Sequence, residues 1–146
     1  MKVRELMTSA PSTLGPDDTC AQAATIMREQ DCGSIPIVKD GKLVGIVTDR
    51  DIVVRAVAAG SDPKTTAVSR VMSADPVTVG PDADVGEAAK VMADRQVRRL
   101  PVVENGRLVG LLVTAHVARR EDADDVGETI KDISEPASGR ASHARG

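Results

Sequence analysis

Two stretches of this chain carry the same rhythm of apolar and polar positions. Cys20, Ala23, Ala24 and Met27 recur at the three- and four-residue spacing of a helix face, and so do Val85, Ala88, Ala89 and Met92. Thr19-x-x-Gln22 ahead of the first set matches a capping box, and Asp84-x-x-Glu87 ahead of the second is a close variant. Each helix is followed by two short apolar runs. Residues 35–38 and 43–47 are joined through Asp40-Gly41, and residues 100–103 and 108–113 through Asn105-Gly106. Asp-Gly and Asn-Gly tolerate the positive φ of a two-residue hairpin turn, so both pairs predict β-hairpins. Ahead of the helices, residues 12–14 and 77–79 read as short extended stretches that end at Gly15-Pro16-Asp17 and Gly80-Pro81-Asp82. A second helix is predicted after each hairpin, over 49–59 with Gly60 just past its end and over 115 to about 120. The order is β-α-β-β-α, twice.

The two patterns are copies. Displaced by 65 positions, residues 3–55 align with 68–120 without a gap, and 17 of the 53 pairs are identical. They include Met7/Met72, Pro11/Pro76, Gly15-Pro16-Asp17 on Gly80-Pro81-Asp82, and Leu43-Val44-Gly45 on Leu108-Val109-Gly110. A unit of about 60 residues buries only about 60% of its unfolded surface and is marginal alone. The expectation is an α+β protein whose two β-α-β-β-α repeats pack as a pseudo-two-fold pair. The first repeat is placed at 1–60, a linker at 61–67 and the second repeat at 68–120. Residues 121–133 read as a helical extension with Val126, Ile130 and Ile133 on one face, and residues 134–146 as a disordered tail with almost no apolar content.

Composition narrows the function. The 146 residues hold 22 acidic and 19 basic side chains, a net charge of −3, which gives no reason to expect nucleic acid or a membrane surface as partner. There is no Phe, Tyr or Trp. The core must therefore be aliphatic, bases have no aromatic platform to stack on, and any bound adenine would lie between aliphatic side chains. The longest apolar run is 108–113, far short of a bilayer span. Lys2, Arg4 and Glu5 lead into no apolar stretch, so no signal peptide is expected. Two cysteines are too few for a disulfide scaffold, and a cytoplasmic protein is expected. No nucleophile elbow, Walker loop, H-E-x-x-H or Cys–His pair is present, and the chain reads as a non-enzyme. Cys20, Cys32, His116 and His143 lack zinc-ligand spacing, so no metal site is assigned. Cys20 lies on the apolar helix face and reads as core; Cys32 reads as a partly exposed thiol.

Three places remain as candidate chemistry. Thr48-x-x-Asp51 follows a strand and opens a helix. It reads either as a capping pair or as a carboxylate whose two acceptor oxygens take a pair of ligand hydroxyls. Arg98-Arg99 stands before Leu100-Pro101. Two guanidiniums suit phosphate oxygens; the alternatives are a solvated basic turn or ion pairs to the acidic run 121–125. Ile46 and Val77 are either aliphatic walls for a ring or simple core.

The segments G-S-I-P-I-V-K-D-G-K-L-V-G-I-V-T-D-R-D-I (33–52) and V-R-R-L-P-V-V-E-N-G-R-L-V-G-L-L-V-T-A-H-V (97–117) resemble the cystathionine-β-synthase (CBS) domain. Over residues 1–120 the chain resembles a tandem CBS pair, or Bateman module, most of all the stand-alone bacterial hypoxic-response type. The resemblance implies a regulatory, non-catalytic module that binds an adenosine-containing ligand in the cleft between the repeats: AMP, ADP, ATP or S-adenosylmethionine. It implies ribose binding at Asp51 with help from Thr48, and phosphate binding at Arg98 and Arg99. The equivalents of Thr48 and Asp51 in the second repeat are Val113 and His116, and the equivalents of Arg98-Arg99 in the first are Gly33-Ser34. The second site has thus lost both halves, and one ligand per chain is expected. Two marginal units leave an apolar helix face, Ile52, Val53, Ala56 and Val57, in need of cover, and the resemblance points the same way, to a homodimer through CBS helices; an unidentified protein effector is also expected. A ligand-independent stress-response scaffold and an S-adenosylmethionine sensor are the alternatives.

Overall fold

The computed structural model describes residues 1–118. The expected helical extension and tail lie outside the described residues. The described residues form two compact units, Pro11–Pro76 and Met1–Ala10 together with the described residues from Val77.

In the unit Pro11–Pro76, helix α1 (Cys20–Gln30) starts at a complete capping box. Thr19 Oγ1 accepts the Gln22 N–H at 3.2 Å, and Gln22 Oε1 accepts the Thr19 N–H at 2.7 Å. The helix ends at Asp31, whose φ of 51° stops the helical run. Strands β2 (Ser34–Lys39) and β3 (Lys42–Thr48) form the expected hairpin. Asp40 and Gly41 both have positive φ, 53° and 79°, as a type I′ turn requires. Helix α2 (Asp49–Ile52) then widens into a π-helical turn, Val53–Val57. The expected single helix over 49–59 is therefore split, and Gly60 (φ 80°) follows it. Cys20, Ala23, Met27, Ile35, Ile37, Val47, Ile52 and Ala56 make the buried core, completed by Val68 and Val71. Burial pushes the Cys20 thiol pKa up, which keeps it protonated and unreactive.

The other unit repeats this plan with helix α3 (Val85–Arg95), strands β5 (Arg99–Glu104) and β6 (Arg107–Val113), and helix α4 (Thr114–Ala118). Asn105 and Gly106 make its hairpin turn at φ 53° and 80°. The start of α3 differs from expectation. Asp84 caps by accepting the Gly86 N–H at 3.0 Å, so the bond that Glu87 would supply in a box is not made. Its core joins Val85, Ala88, Ala89, Met92, Leu100, Val102, Leu112 and Val117 to Val3.

Folded units and sequence repeats are therefore cut differently. Val3 is buried with the second repeat's helices and strands, whereas Val68, its partner in the alignment, is buried with the first repeat's. The backbone docks each in the same way: Val3 N–H to Ala83 O at 2.9 Å, Val68 N–H to Asp18 O at 2.7 Å. Two-residue strands follow each valine. Strand β1 (Thr8–Ser9) pairs with β6, and β4 (Ser73–Ala74) pairs with β3. The expected extended stretches at 12–14 and 77–79 shrink to single parallel bridges, Leu14 with Ile37 and Val79 with Val102. On the surface, Arg4 Nε lies 2.9 Å from Asp82 Oδ1; that hydrogen bond and the neighbouring positive charges lower the Asp82 carboxyl pKa.

Candidate ligand site

The strand-to-helix junction of the Pro11–Pro76 unit places Ile46, Thr48 and Asp51. Side chains alternate along β3. Val47 enters the core, so Ile46 and Thr48 share the opposite face, both half-buried. Ile46 lies between Pro36 of β2 and Ser73 of β4 in the pairing register. Thr48 is extended (φ −117°, ψ 164°) and caps α2. Its Oγ1 accepts the Asp51 N–H at 3.1 Å, and Asp51 Oδ2 accepts the Thr48 N–H at 2.9 Å. The capping pair of the sequence reading is thus formed in full, yet it occupies only one carboxylate oxygen.

The second oxygen faces an arginine that sequence reasoning did not single out. Asp51 Oδ1 lies 3.9 Å from Arg55 Nε, one helical turn on, beyond hydrogen-bond range. Arg55 Nη1 donates to the Val71 carbonyl at 3.0 Å. The Asp51 side chain is 13% exposed, so an acceptor with spare lone pairs sits at the surface but is sheltered. The signal was available: Arg55 and Arg120 are the last identical pair of the repeat.

Val77, Arg98 and Arg99 belong to the other unit. Val77 packs against the Val3 core. Arg98 and Arg99, both half-buried, lead into β5. The Arg98 carbonyl accepts the Thr114 N–H at 3.1 Å, and Arg99 pairs with Val113 across the hairpin. In the first repeat the same register sets Ser34 opposite Thr48. Asp51 is thus in the Pro11–Pro76 unit, and Arg98 and Arg99 are in the other. His116 falls within α4. Among the described residues no cluster of three or more His, Cys, Asp or Glu side chains could hold a metal ion. No helix among them is long and apolar enough to cross a membrane.

The family model for the CBS domain matches residues 3–57 and again residues 68–121. The chain belongs to the CBS-domain family. It is a tandem CBS pair, and its similarity to known members runs nearly end to end. It is 37% identical over 133 residues to the CBS domain-containing protein YhcV of Bacillus subtilis, covering 90% of this chain and 94% of that protein. A crystal structure of Hypoxic Response Protein I with two coordinated zinc ions superposes with a TM-score of 0.77 at 37% identity, covering 84% of this chain and all of that one. The crystal structure of CBSX2 in complex with AMP superposes with a TM-score of 0.70 at 26% identity, covering 81% of this CBS pair and 93% of that chain.

Proposed function

We propose that this CBS pair is a regulatory, non-catalytic module that binds an adenosine nucleotide (AMP, ADP or ATP). Asp51 takes the ribose hydroxyls beside Thr48, Arg98 and Arg99 take phosphate oxygens, and Ile46 and Val77 flank the base. The observation that carries the reading is the Asp51 carboxylate: one oxygen is spent on the helix cap, and the other is sheltered and open to a hydroxyl donor. The AMP complex of CBSX2 supports the ligand class. Two arginines favour a phosphorylated ligand over S-adenosylmethionine, which carries the diol but no phosphate.

The output is a population shift: ligand that binds one arrangement of the pair better enriches it and changes a protein-facing surface. That surface is proposed on the π-helical turn directly after Asp51. Of the face expected to be open, Ile52 and Ala56 are core, whereas Val53 and Val57 are 58% and 56% exposed, joined by Val54 at 48%. Exposed valines of this density favour an apolar partner, and a second copy of this chain is the proposed one.

One experiment tests both halves. Melting followed by circular dichroism, with AMP at about 100 times its dissociation constant, should show about 2.7 kcal/mol of added stability. Light scattering of the same sample should give twice the chain mass. No stabilisation by AMP, ADP or ATP would remove the nucleotide reading and leave the ligand-independent scaffold. A single-chain mass would remove the dimer.

A further inference from the structure

We propose that Arg55 is a positioning residue for the Asp51 carboxylate and thereby sets how strongly ligand affinity depends on the ribose diol; the second clause rests on the nucleotide reading above. Arg55 uses two different nitrogens on two different partners. Nε faces Asp51 Oδ1 at 3.9 Å, and Nη1 holds the Val71 carbonyl at 3.0 Å. Val71, 1% exposed, closes the 3-10 turn Val68–Arg70 and leads through Met72 into β4. That strand runs beside β3 at Gly45 and Ile46. One guanidinium therefore ties the helix bearing Asp51 to the segment flanking Ile46. With Oδ2 pinned by the Thr48 N–H at 2.9 Å, the charge of Arg55 fixes which way Oδ1 is presented.

The arginine stands within the π-helical turn Val53–Val57. Such turns break the regular ladder and occur frequently at functional sites. The planar fork matters: a lysine ammonium is a compact charge on a flexible stem and lacks the two divergent nitrogens. Arg55 is half exposed and not a core residue, so its replacement removes the bond to the Val71 carbonyl without opening a cavity in the core.

The test has a ligand-free arm and a ligand arm. In ligand-free protein the Arg55 Nε–Hε resonance, read by 15N NMR, should lie apart from those of solvated arginines and should move on Asp51→Asn. A solvent-averaged resonance that ignores Asp51→Asn overturns the positioning role, whatever the protein binds. In the ligand arm, Arg55→Gln should weaken AMP by about tenfold, and Arg55→Lys should restore only part of that. The affinity for 2′,3′-dideoxyadenosine monophosphate should stay within about twofold. Equal losses for both nucleotides would mean general loosening of the unit and would overturn the proposal. Wild type that fails to bind AMP overturns the nucleotide reading and the diol clause with it, while the resonance still decides whether Arg55 positions Asp51.

Discussion

Gly45→Val should cost about 3 kcal/mol of folding free energy, and Gly110→Val a similar amount, the upper end of ordinary overpacking. Neither glycine is in a turn; both lie inside a hairpin strand with a methionine against the missing side chain. A Cβ at Gly45 would overlap Met72 Sδ and stand 3.0 Å from the Ser73 carbonyl; a Cβ at Gly110 would overlap Met7 Sδ and stand 3.0 Å from the Thr8 carbonyl. The methionine can swing aside. The carbonyl cannot, because it belongs to the short strand paired there, β4 on β3 and β1 on β6. A valine at either position must push away the segment that also carries the buried Val68 or Val3. Met72→Ala in the Gly45→Val background should therefore recover less than half of the loss. Gly80→Ala is the control: a Cβ there meets nothing within 4 Å, and the change should stay within about 0.5 kcal/mol. Urea unfolding followed by far-ultraviolet circular dichroism checks this, since the chain has no Trp or Tyr to report by fluorescence. A loss below about 1 kcal/mol at either glycine would show that the short strands are not held as described.

Asp51→Ala should weaken adenosine nucleotides by at least about a hundredfold, because hydrogen bonds to a charged group contribute roughly 1.5–3 kcal/mol each. That substitution also removes the acceptor of the Thr48 N–H, so it should cost about 1 kcal/mol of stability through the lost cap. Asp51→Asn separates the two effects. Its amide oxygen still accepts the Thr48 N–H, and its NH2 replaces the oxygen that would meet the ribose. Stability should stay within about 0.5 kcal/mol of wild type while affinity falls by tenfold or more. Calorimetric titration and urea melts on the two variants give the comparison. Unchanged affinity in Asp51→Asn would confine this carboxylate to capping.

Much of the fold was legible because its signals are local. Asp40-Gly41 and Asn105-Gly106 fix both hairpins by their backbone preference, and Thr19 with Gln22 fixes the start of α1. What escaped is non-local or carries too few residues. Strands β1 and β4 are two residues each, too short for alternation to show. The alignment could not reveal that Val3 and Val68 pack into different repeats from their own, because identical residues fit either core. The π-helical turn is itself an unbroken run of apolar residues and one arginine, with no Gly or Pro to mark it. At the site, Thr48 and Asp51 were visible because cap and hydroxyl binder use the same spacing; the cap is formed and takes one carboxylate oxygen, which leaves the other for the proposed use. Arg55 was marked only as part of the last identical pair of the repeat; its role was not legible, because its carbonyl partner, Val71, is 16 positions away.

The nucleotide account is tested most directly by titrating AMP and adenosine calorimetrically into wild type and into the Arg98→Ala/Arg99→Ala variant. One AMP should bind per chain of wild type. The double substitution should weaken AMP by about tenfold or more, for which one charge-assisted contact of roughly 1.5–3 kcal/mol suffices, while adenosine, which carries the diol but no phosphate, stays within about twofold. The AMP loss should shrink at high salt. No AMP binding by wild type, or equal losses for AMP and adenosine, would contradict the account.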